Sequence, residues 1–392
     1  MTERRLFTSN SVLKGHPDKL CDRISDAIVD AHLNVDTRAR IRAEAAAAGQ
    51  VIFVTTDARF HGEVDVTGVV RRTIVETGYD PRDLDPQRCT ILSQTSTMTP
   101  PWAQGRRQSD ADLDNLPAGE QTTVFGYACT ETPERMPLAI RVAHLLAGRL
   151  DELAGSRELP RLGPDGSVQV TIEYVDDRPA RIDAVVLEAV YTGSSDELRD
   201  AIRAILDGPL LERYAVRPDK QTRLMVNAEG PLTVAGPARN AGHTGRKQVA
   251  DTYGGAARHG DGALSGKDPS RIDRCAAYAA RHAAANVVAA GLATECELML
   301  SYAIGEAEPT TVYARTFGRG QIPNERLSAI IRDVFDFRPG AIGRRFGLWT
   351  LPRRNSGRYY RILATGGQVG RTDVELPWEQ LDAVEALKQA AS

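Results

Sequence analysis

GHTGRKQVADTYGGAARHGDGALSGKDPSRIDR, residues 242–274, is the most informative stretch of this chain. Seven of its residues are glycines and six are Arg or Lys. Glycine lets a backbone pass close to a ligand, and Arg and Lys supply the positive charge that a polyphosphate needs. Asp268 and Pro269 are typical of an N-cap and a first helical position, so a helix is predicted to begin there and to offer its N–H groups to an anion. This glycine-rich segment therefore predicts a polyphosphate site, and a solvated surface loop is the alternative.

Two common nucleotide motifs do not fit the segment. A P-loop requires one more residue than the sequence has between Gly262 and Gly266, and it requires Ser or Thr where Asp268 stands. The strand and GxGxxG turn of a dinucleotide-binding fold are missing as well.

Lysine is rare in this chain, since only six of its 49 basic residues are lysines. Four of the six, Lys14, Lys19, Lys247 and Lys267, fall in the glycine-rich segment or in the N-terminal stretch Lys14–Lys19. A compact ammonium at these positions predicts point charges on phosphate oxygens.

Composition sets the remaining limits. A chain of 392 residues is long enough for two or three domains. The formal net charge of −3 argues against general nucleic-acid binding, so local basic clusters are expected to serve a smaller anion. The five cysteines are scattered without a CxxC pattern, which predicts reduced thiols, a cytoplasmic location and no structural zinc. No apolar run approaches about 18 residues, so no membrane span is expected.

A helix is predicted from Pro17 to Leu33, because apolar residues recur there at helical spacing after a proline suited to the first turn. Asp18 lies in its first turn and is expected to hold a cation. Asp22 and Asp26 are expected to lie on a solvated face and to pair with Arg23.

Other segments alternate between strand and helix patterns, which predicts an α+β fold of repeated modules. Strands are predicted at 51–56, 89–92, 168–174, 183–191, 224–227 and 296–304, and helices at 64–76, 137–152, 195–205, 271–290 and 325–335. Residues 93–120 are rich in polar residues, Pro and Gly, which indicates either a lid or simple disorder.

Several short motifs are together more specific than any one loop. They are Gly15–Lys19, Ser25–Ala27, Phe125–Ala128, Ile182–Val186, Gly245–Lys247, Asp251–Gly255, Gly266–Ser270, Tyr278–Arg281 and Ser301–Gly305. Over nearly the whole chain, this set resembles the S-adenosylmethionine synthetases (methionine adenosyltransferases).

The resemblance implies a fold and a reaction. It implies three similar α/β-sandwich domains with pseudo-threefold symmetry, in a homodimer or a dimer of dimers with active sites at the subunit interface. The implied domains are 1–103, 123–233 and 234–392, with a lid at 104–122. In the implied reaction, methionine sulfur attacks C5′ of ATP, and the tripolyphosphate that leaves is cleaved to phosphate and pyrophosphate. Mg²⁺ is required, and K⁺ assists.

The resemblance also implies roles for single residues. His16 would orient the leaving oxygen, with Arg246, Lys247 and Lys267 as its catalytic partners. Asp18 and Asp273 would hold Mg²⁺, and Glu44 would bind K⁺. The implied ATP and phosphate ligands are His16, Asp165, Ser167, Asn240, Arg246, Lys247, Lys267 and Arg271. The implied amino-acid pocket comprises Asp57, Met98, Asn240 and Arg271.

Several positions depart from the family pattern. They are Asn10, Lys14, Asp57, Met98, Glu120, Thr122, Ser167, Leu232, Asn240 and Arg271. Most fall on the amino-acid pocket and on part of the triphosphate site. Asn240 stands where an Asp would pair with the methionine ammonium, and losing one partner of such a buried pair costs about 2–5 kcal/mol.

Three functions are therefore expected as alternatives. The first is a divergent methionine adenosyltransferase. The second is a pathway enzyme that uses the same ATP chemistry on another nucleophile, for which Asp57 or Glu120 would be the candidate base if that nucleophile were an alcohol or an amine. The third is a non-catalytic paralogue that binds ATP.

Overall fold

The computed structural model describes residues 3–96, 115–214 and 216–392. The strands are β1 (Arg4–Val12), β2 (Arg40–Ala48), β3 (Val51–Arg59), β4 (Thr90–Ser96), β5 (Thr122–Cys129), β6 (Leu162–Val175), β7 (Arg178–Tyr191), β8 (Arg223–Val226), β9 (Gly242–His243), β10 (Glu295–Tyr302) and β11 (Thr311–Arg315). The helices are α1 (Pro17–Val35), α2 (Val66–Thr77), α3 (Leu138–Leu153), α4 (Ser195–Asp207), α5 (Gln248–Asp251), α6 (Ile272–Ala289), α7 (Asn324–Val334), α8 (Pro339–Arg345), α9 (Leu351–Arg354), α10 (Tyr360–Leu363) and α11 (Val384–Ala391). The α+β prediction is confirmed.

The strands form three sheets whose orders are β1-β6-β7-β8, β11-β10-β5 and β4-β3-β2-β9. Most neighbouring strands are antiparallel, but β3 pairs with β4 and β7 pairs with β8 in parallel. Each sheet combines strands that are distant in the sequence. For example, β1 pairs with β6 and β5 pairs with β10.

Helices cover the sheets and enclose two apolar cores. The larger core joins α1, β2, β3, α6 and β10 with the C-terminal helices, and the smaller one lies between α3, β6, β7 and α4. Trp378 anchors the C-terminal stretch. Its ring stacks on that of buried Tyr278, with the centroids 3.7 Å apart.

The predicted loop at 93–120 is partly wrong. Residues 93–96 continue β4, because they extend its parallel pairing with β3 up to Ser96 opposite Asp57. Residues 97–114, which include Met98 and most of the predicted lid, lie outside the described residues.

The prediction that Asp22 and Asp26 lie on a solvated face of α1 is wrong. Asp18, Asp22, Asp26 and Asp30 recur every four residues and are all buried. Each accepts a backbone N–H from a distant segment, and the donors are His243, Gly245, Gly266 and Tyr360 respectively. Carboxylates that accept such bonds can be buried, so this aspartate ladder joins α1 to the C-terminal part of the chain.

All five cysteines are buried free thiols, as the sequence predicted. In the described part of the chain, no helix is both long enough and apolar enough to cross a membrane.

Candidate active site

The edge of β2 positions the glycine-rich segment. Gly242 and His243 pair with Ala47 and Ala46 of β2. Farther along the same strand, the Gly266 carbonyl accepts the Ala43 N–H at 2.8 Å. Gly266 has φ of +81°, and a Cβ there would lie 2.0 Å from the Ala43 oxygen, so only glycine fits this approach. The two ends of the segment are therefore held side by side.

A first cluster lies at the start of α1, around Asp18. Its carboxylate forms an ion pair with Lys247, lies 3.7 Å from Arg246 and accepts the His243 N–H at 3.0 Å. Burial alone would raise the pKa of Asp18, but the contact with Lys247 lowers it overall. Asp18 is thus an ionised carboxylate beside two cations that the sequence predicted to bind phosphate.

His16 is the N-cap of α1, and its Nδ1 accepts the Asp18 N–H at 3.2 Å. Burial, assisted by the charge of Lys247, lowers the pKa of His16 to about 4. The ring is therefore neutral at physiological pH. Because Nδ1 is an acceptor, the proton resides on Nε2, which can donate to a ligand.

A second cluster lies at the start of α6. Lys267 forms an ion pair with Asp273, whose other oxygen accepts the Thr122 hydroxyl at 3.1 Å. The predicted helix start at Asp268 is wrong, since α6 begins at Ile272. The Asp268 carboxylate instead accepts the N–H groups of Ile41 and Ser270, which fixes the turn against β2.

Arg271 and Glu120 extend this second cluster, with 4.0 Å between their charged groups. Burial, and then the charge of Asp273, raises the pKa of Glu120. Its Oε1 is buried and has no hydrogen-bond partner within the described residues.

Asp57 lies on β3, directly opposite Arg42 of β2. Its carboxylate accepts the Arg42 guanidinium at 2.9 Å and also accepts the Ser96 hydroxyl. The bond from Ser96 lowers the pKa of Asp57, and Arg42 and Arg271 act in the same direction.

Asp165 and Ser167 lie on β6, close to the N-terminal motif. The Pro164 carbonyl accepts the Gly15 N–H at 2.9 Å. Asp165 is buried, accepts the Gly236 N–H at 2.7 Å, and has its pKa raised by burial to about 6. It therefore supports the backbone around 236, whereas Ser167 is half-buried opposite Val12.

Two further predicted residues are exposed. Asn240 follows the turn at Gly236 and precedes β9, so it lies near the first cluster in sequence. Glu44 lies on the outward face of β2, away from α1. The structure thus brings His16, Asp18, Arg246 and Lys247 together, but it leaves Glu44 apart from them.

Two lysines do not have the predicted phosphate role. Lys19 is buried and lies between Asp22 and Asp251, which raise the pKa of the ammonium against the effect of burial. Lys14 bonds through its N–H and ammonium to Asp151. Both lysines are therefore structural.

Arg42 is a basic residue of this site that local sequence patterns do not reveal. Alternation along β2 would have placed it on the outward face, but its pairing with Asp57 depends on strand register, which a single sequence does not reveal.

The carboxylates of Asp18 and Asp273 suit Mg²⁺ as part of a site that substrate phosphates complete. Among the described residues, no group of three or more His, Cys, Asp or Glu is arranged to hold a metal ion. Mg²⁺ keeps several waters, however, and binds through one or two carboxylates together with substrate phosphates. Asp18 and Asp273, one in each cluster, are oxygen donors of this kind.

Known proteins match this chain along nearly its whole length. Three family models match: S-adenosylmethionine synthetase N-terminal domain at residues 4–100, central domain at 115–232 and C-terminal domain at 234–380. The S-adenosylmethionine synthase of Gloeobacter violaceus is 44% identical, with 99% of this chain and 98% of the relative covered. Those of Thermosynechococcus vestitus and Synechococcus elongatus are each 42% identical, with 99% and 100% of this chain and 98% and 99% of the relative covered.

Proposed function

Because the chain belongs to the S-adenosylmethionine synthetase family, with three domains of that family along its length, we propose that it transfers the 5′-adenosyl group of ATP to the sulfur of L-methionine. The direct products are S-adenosylmethionine and tripolyphosphate, and water then hydrolyses the tripolyphosphate to phosphate and pyrophosphate. The observation that carries the proposal is the convergence of Arg246, Lys247 and His16 on Asp18 at the start of α1.

The chemistry requires charge stabilisation rather than a base. A thioether has no proton to lose, so the sulfur attacks C5′ directly and the C5′–O bond breaks. The leaving tripolyphosphate gains negative charge, and positioned cations stabilise that charge in the transition state. Arg246, Lys247, Lys267 and Arg271 supply four cations of this kind.

His16 has a more specific task in this proposal. A neutral imidazole with its proton on Nε2 can donate a hydrogen bond to the leaving oxygen as negative charge develops there. The N–H of Asp18 holds Nδ1 and so fixes both the tautomer and the orientation of the ring. Burial keeps the ring neutral, which avoids adding a fifth charge to the site.

The lysines must change partners when ATP binds. Lys247 is paired with Asp18, and Lys267 is paired with Asp273. Phosphate oxygens would compete for both ammonium groups, and Asp18 and Asp273 would be the residues that hold Mg²⁺. A bound Mg²⁺ supplies Lewis-acid stabilisation of the phosphates. We assign Asp18 and Asp273 to Mg²⁺, and Glu44 to K⁺.

We also propose a homodimer that uses the outward face of the sheet β4-β3-β2-β9. Val51, Phe53 and Leu92 expose 43%, 45% and 52% of their surface on that face. Phe53 and Leu92 are register partners, so the apolar surface is continuous across two strands. Apolar surface of this kind on a sheet favours association. Arg42, Glu44 and Asp57 project from the same face, which would place active-site residues at the interface.

The test is direct. Purified protein is incubated with ATP, MgCl₂, KCl and L-methionine, and S-adenosylmethionine is identified by mass spectrometry while phosphate and pyrophosphate are quantified. Stoichiometric formation of all three products is expected. If no acceptor-dependent product forms although ATP binds, the chain is a nucleotide-binding paralogue. Light scattering of wild-type protein and Phe53→Asp checks the dimer separately.

A further inference from the structure

Arg42 and Asp57 form an ion pair that the proposed phosphate chemistry does not use. The guanidinium Nη2 lies 2.9 Å from Asp57 Oδ2, and the Ser96 hydroxyl donates to Oδ1. The three residues form one row across β2, β3 and β4, because they are register partners. The Arg42 side chain remains 42% exposed and that of Asp57 remains 20% exposed. A pair of opposite charges thus projects from the outward face of the sheet, the same face that we propose for the dimer.

The pair lies beside the phosphate-binding cluster at the start of α6. Arg42 is the bridge partner of Lys267 along the β2 edge. The charge of Arg271 reaches Asp57, since it contributes to the lowered pKa of that carboxylate. If the phosphates of a ligand bind to Lys267 and Arg271, the Arg42–Asp57 pair therefore lies close to the acceptor that attacks that ligand.

On the basis of the proposed function, we infer that Arg42 is a further specificity-determining residue, which binds the carboxylate of the amino-acid acceptor beside Asp57, the residue that the family resemblance already implies for the acceptor pocket. An amino acid carries one charge of each sign. It can insert between the two side chains so that each keeps an opposite charge. An arginine also matches a carboxylate in two parallel hydrogen bonds, which a lysine cannot provide.

The ion pair then acts as a selectivity element. With an acceptor that lacks the carboxylate, Arg42 and the ammonium group of the acceptor would compete for Asp57. An acceptor that lacks the ammonium group would leave Asp57 without a cation once Arg42 turned to the ligand. Unpaired charged groups at a partly desolvated site are costly, so the pair favours a zwitterion over either singly charged analogue.

The experiment measures adenosyl transfer to three acceptors by wild-type protein and the Arg42→Ala variant. The acceptors are L-methionine, 3-(methylthio)propylamine, which lacks the carboxylate, and 4-(methylthio)butanoate, which lacks the ammonium group. Arg42→Ala is expected to raise the KM for methionine about tenfold or more, the scale of one charge-assisted contact. The KM for the amine should stay the same or fall, because Asp57 no longer has a competing cation. The KM for ATP should not change.

Controls separate binding from folding. Arg42→Lys should restore only part of the methionine affinity, and Arg88→Ala, which changes an arginine with an 89% exposed side chain, should behave like wild type. If Arg42→Ala fails to fold, Arg42→Gln carries the same comparison. An equal change for methionine and the amine, or an unchanged KM for methionine, overturns the inference. Absence of product from wild-type protein with methionine refutes the proposed function itself, and the inference falls with it.

Discussion

Replacing Asp26 with alanine should destabilise the fold more than most single substitutions. Asp26 and Arg274 have side chains with no exposed surface, and their charged groups lie 2.6 Å apart. Asp26 also accepts the Gly266 N–H at 2.8 Å, and Arg274 donates to the Lys267 carbonyl at 2.9 Å. One carboxylate therefore holds both α6 and the turn that carries Lys267.

The expected cost follows from what the alanine variant leaves behind. A buried guanidinium loses its counter-charge, which typically costs about 3–5 kcal/mol. The orphaned Gly266 N–H adds to this by up to about 1–3 kcal/mol, although the two losses share one site and do not simply add. At roughly 2 °C for each kcal/mol, the melting temperature should fall by about 6–10 °C.

The assay is thermal and urea unfolding of four proteins: wild type, Asp26→Ala, Asp26→Asn and the double variant Asp26→Ala with Arg274→Met. Asn keeps an oxygen for Gly266 but loses the charge, so it should fall between wild type and alanine. The double variant removes both charges and should be more stable than Asp26→Ala alone.

A loss of less than about 1 kcal/mol for Asp26→Ala would refute this reasoning, because it would mean that water or another acid compensates Arg274. A double variant that is less stable than Asp26→Ala would show that the Arg274 contacts with Lys267 and Tyr360 matter more than the ion pair.

Three further predictions concern activity and pH. Lys267→Ala should lower kcat by about 100-fold or more at saturating ATP, because one cation on the leaving group is lost, and an unchanged kcat would remove Lys267 from the phosphate site. Asn240→Asp should lower the KM for methionine by about tenfold through a new charge opposite its ammonium group, and a higher KM would show that Asn240 lies outside the acceptor pocket. Burial lowers the pKa of His144 to about 3, so the fold keeps this ring neutral while the unfolded chain protonates it below about pH 6.5. His144 therefore lowers the free energy of unfolding progressively as pH falls from 6.5 towards 3. Over that range, the free energy of unfolding of His144→Gln should decline less steeply than that of wild type. Identical slopes would contradict the assignment.

Local patterns gave the main elements correctly because hydrophobic periodicity is encoded within each element. The helix predicted from Pro17 to Leu33 is α1, and the one predicted at 271–290 is α6. The strand predicted at 168–174 is the C-terminal half of β6. In the glycine-rich segment, Gly245 and Gly266 have the positive φ that glycine permits, while the polyphosphate role of the segment stays a prediction.

The predictions that were wrong concern residues whose partners are distant in the sequence. Nothing within α1 indicates that Asp22 and Asp26 are buried, because their partners lie more than 200 residues away, with separations of 223 and 240. The role of Arg42 could not be predicted for the same reason, because its partner Asp57 lies on the neighbouring strand. Lys19 shares a motif with His16 but points into the core, and only packing distinguishes the two directions.

The aspartate ladder has a consequence for protein synthesis. Asp30 is tied to Tyr360, 330 residues farther along the chain. A ribosome that adds about 5–20 residues per second needs roughly 16–66 s to deliver that partner, and until then the Asp30 carboxylate stays hydrated. The contact of Asp30 can therefore form only after Tyr360 has been synthesised, and a chain stalled before residue 360 lacks this tie between α1 and the C-terminal stretch.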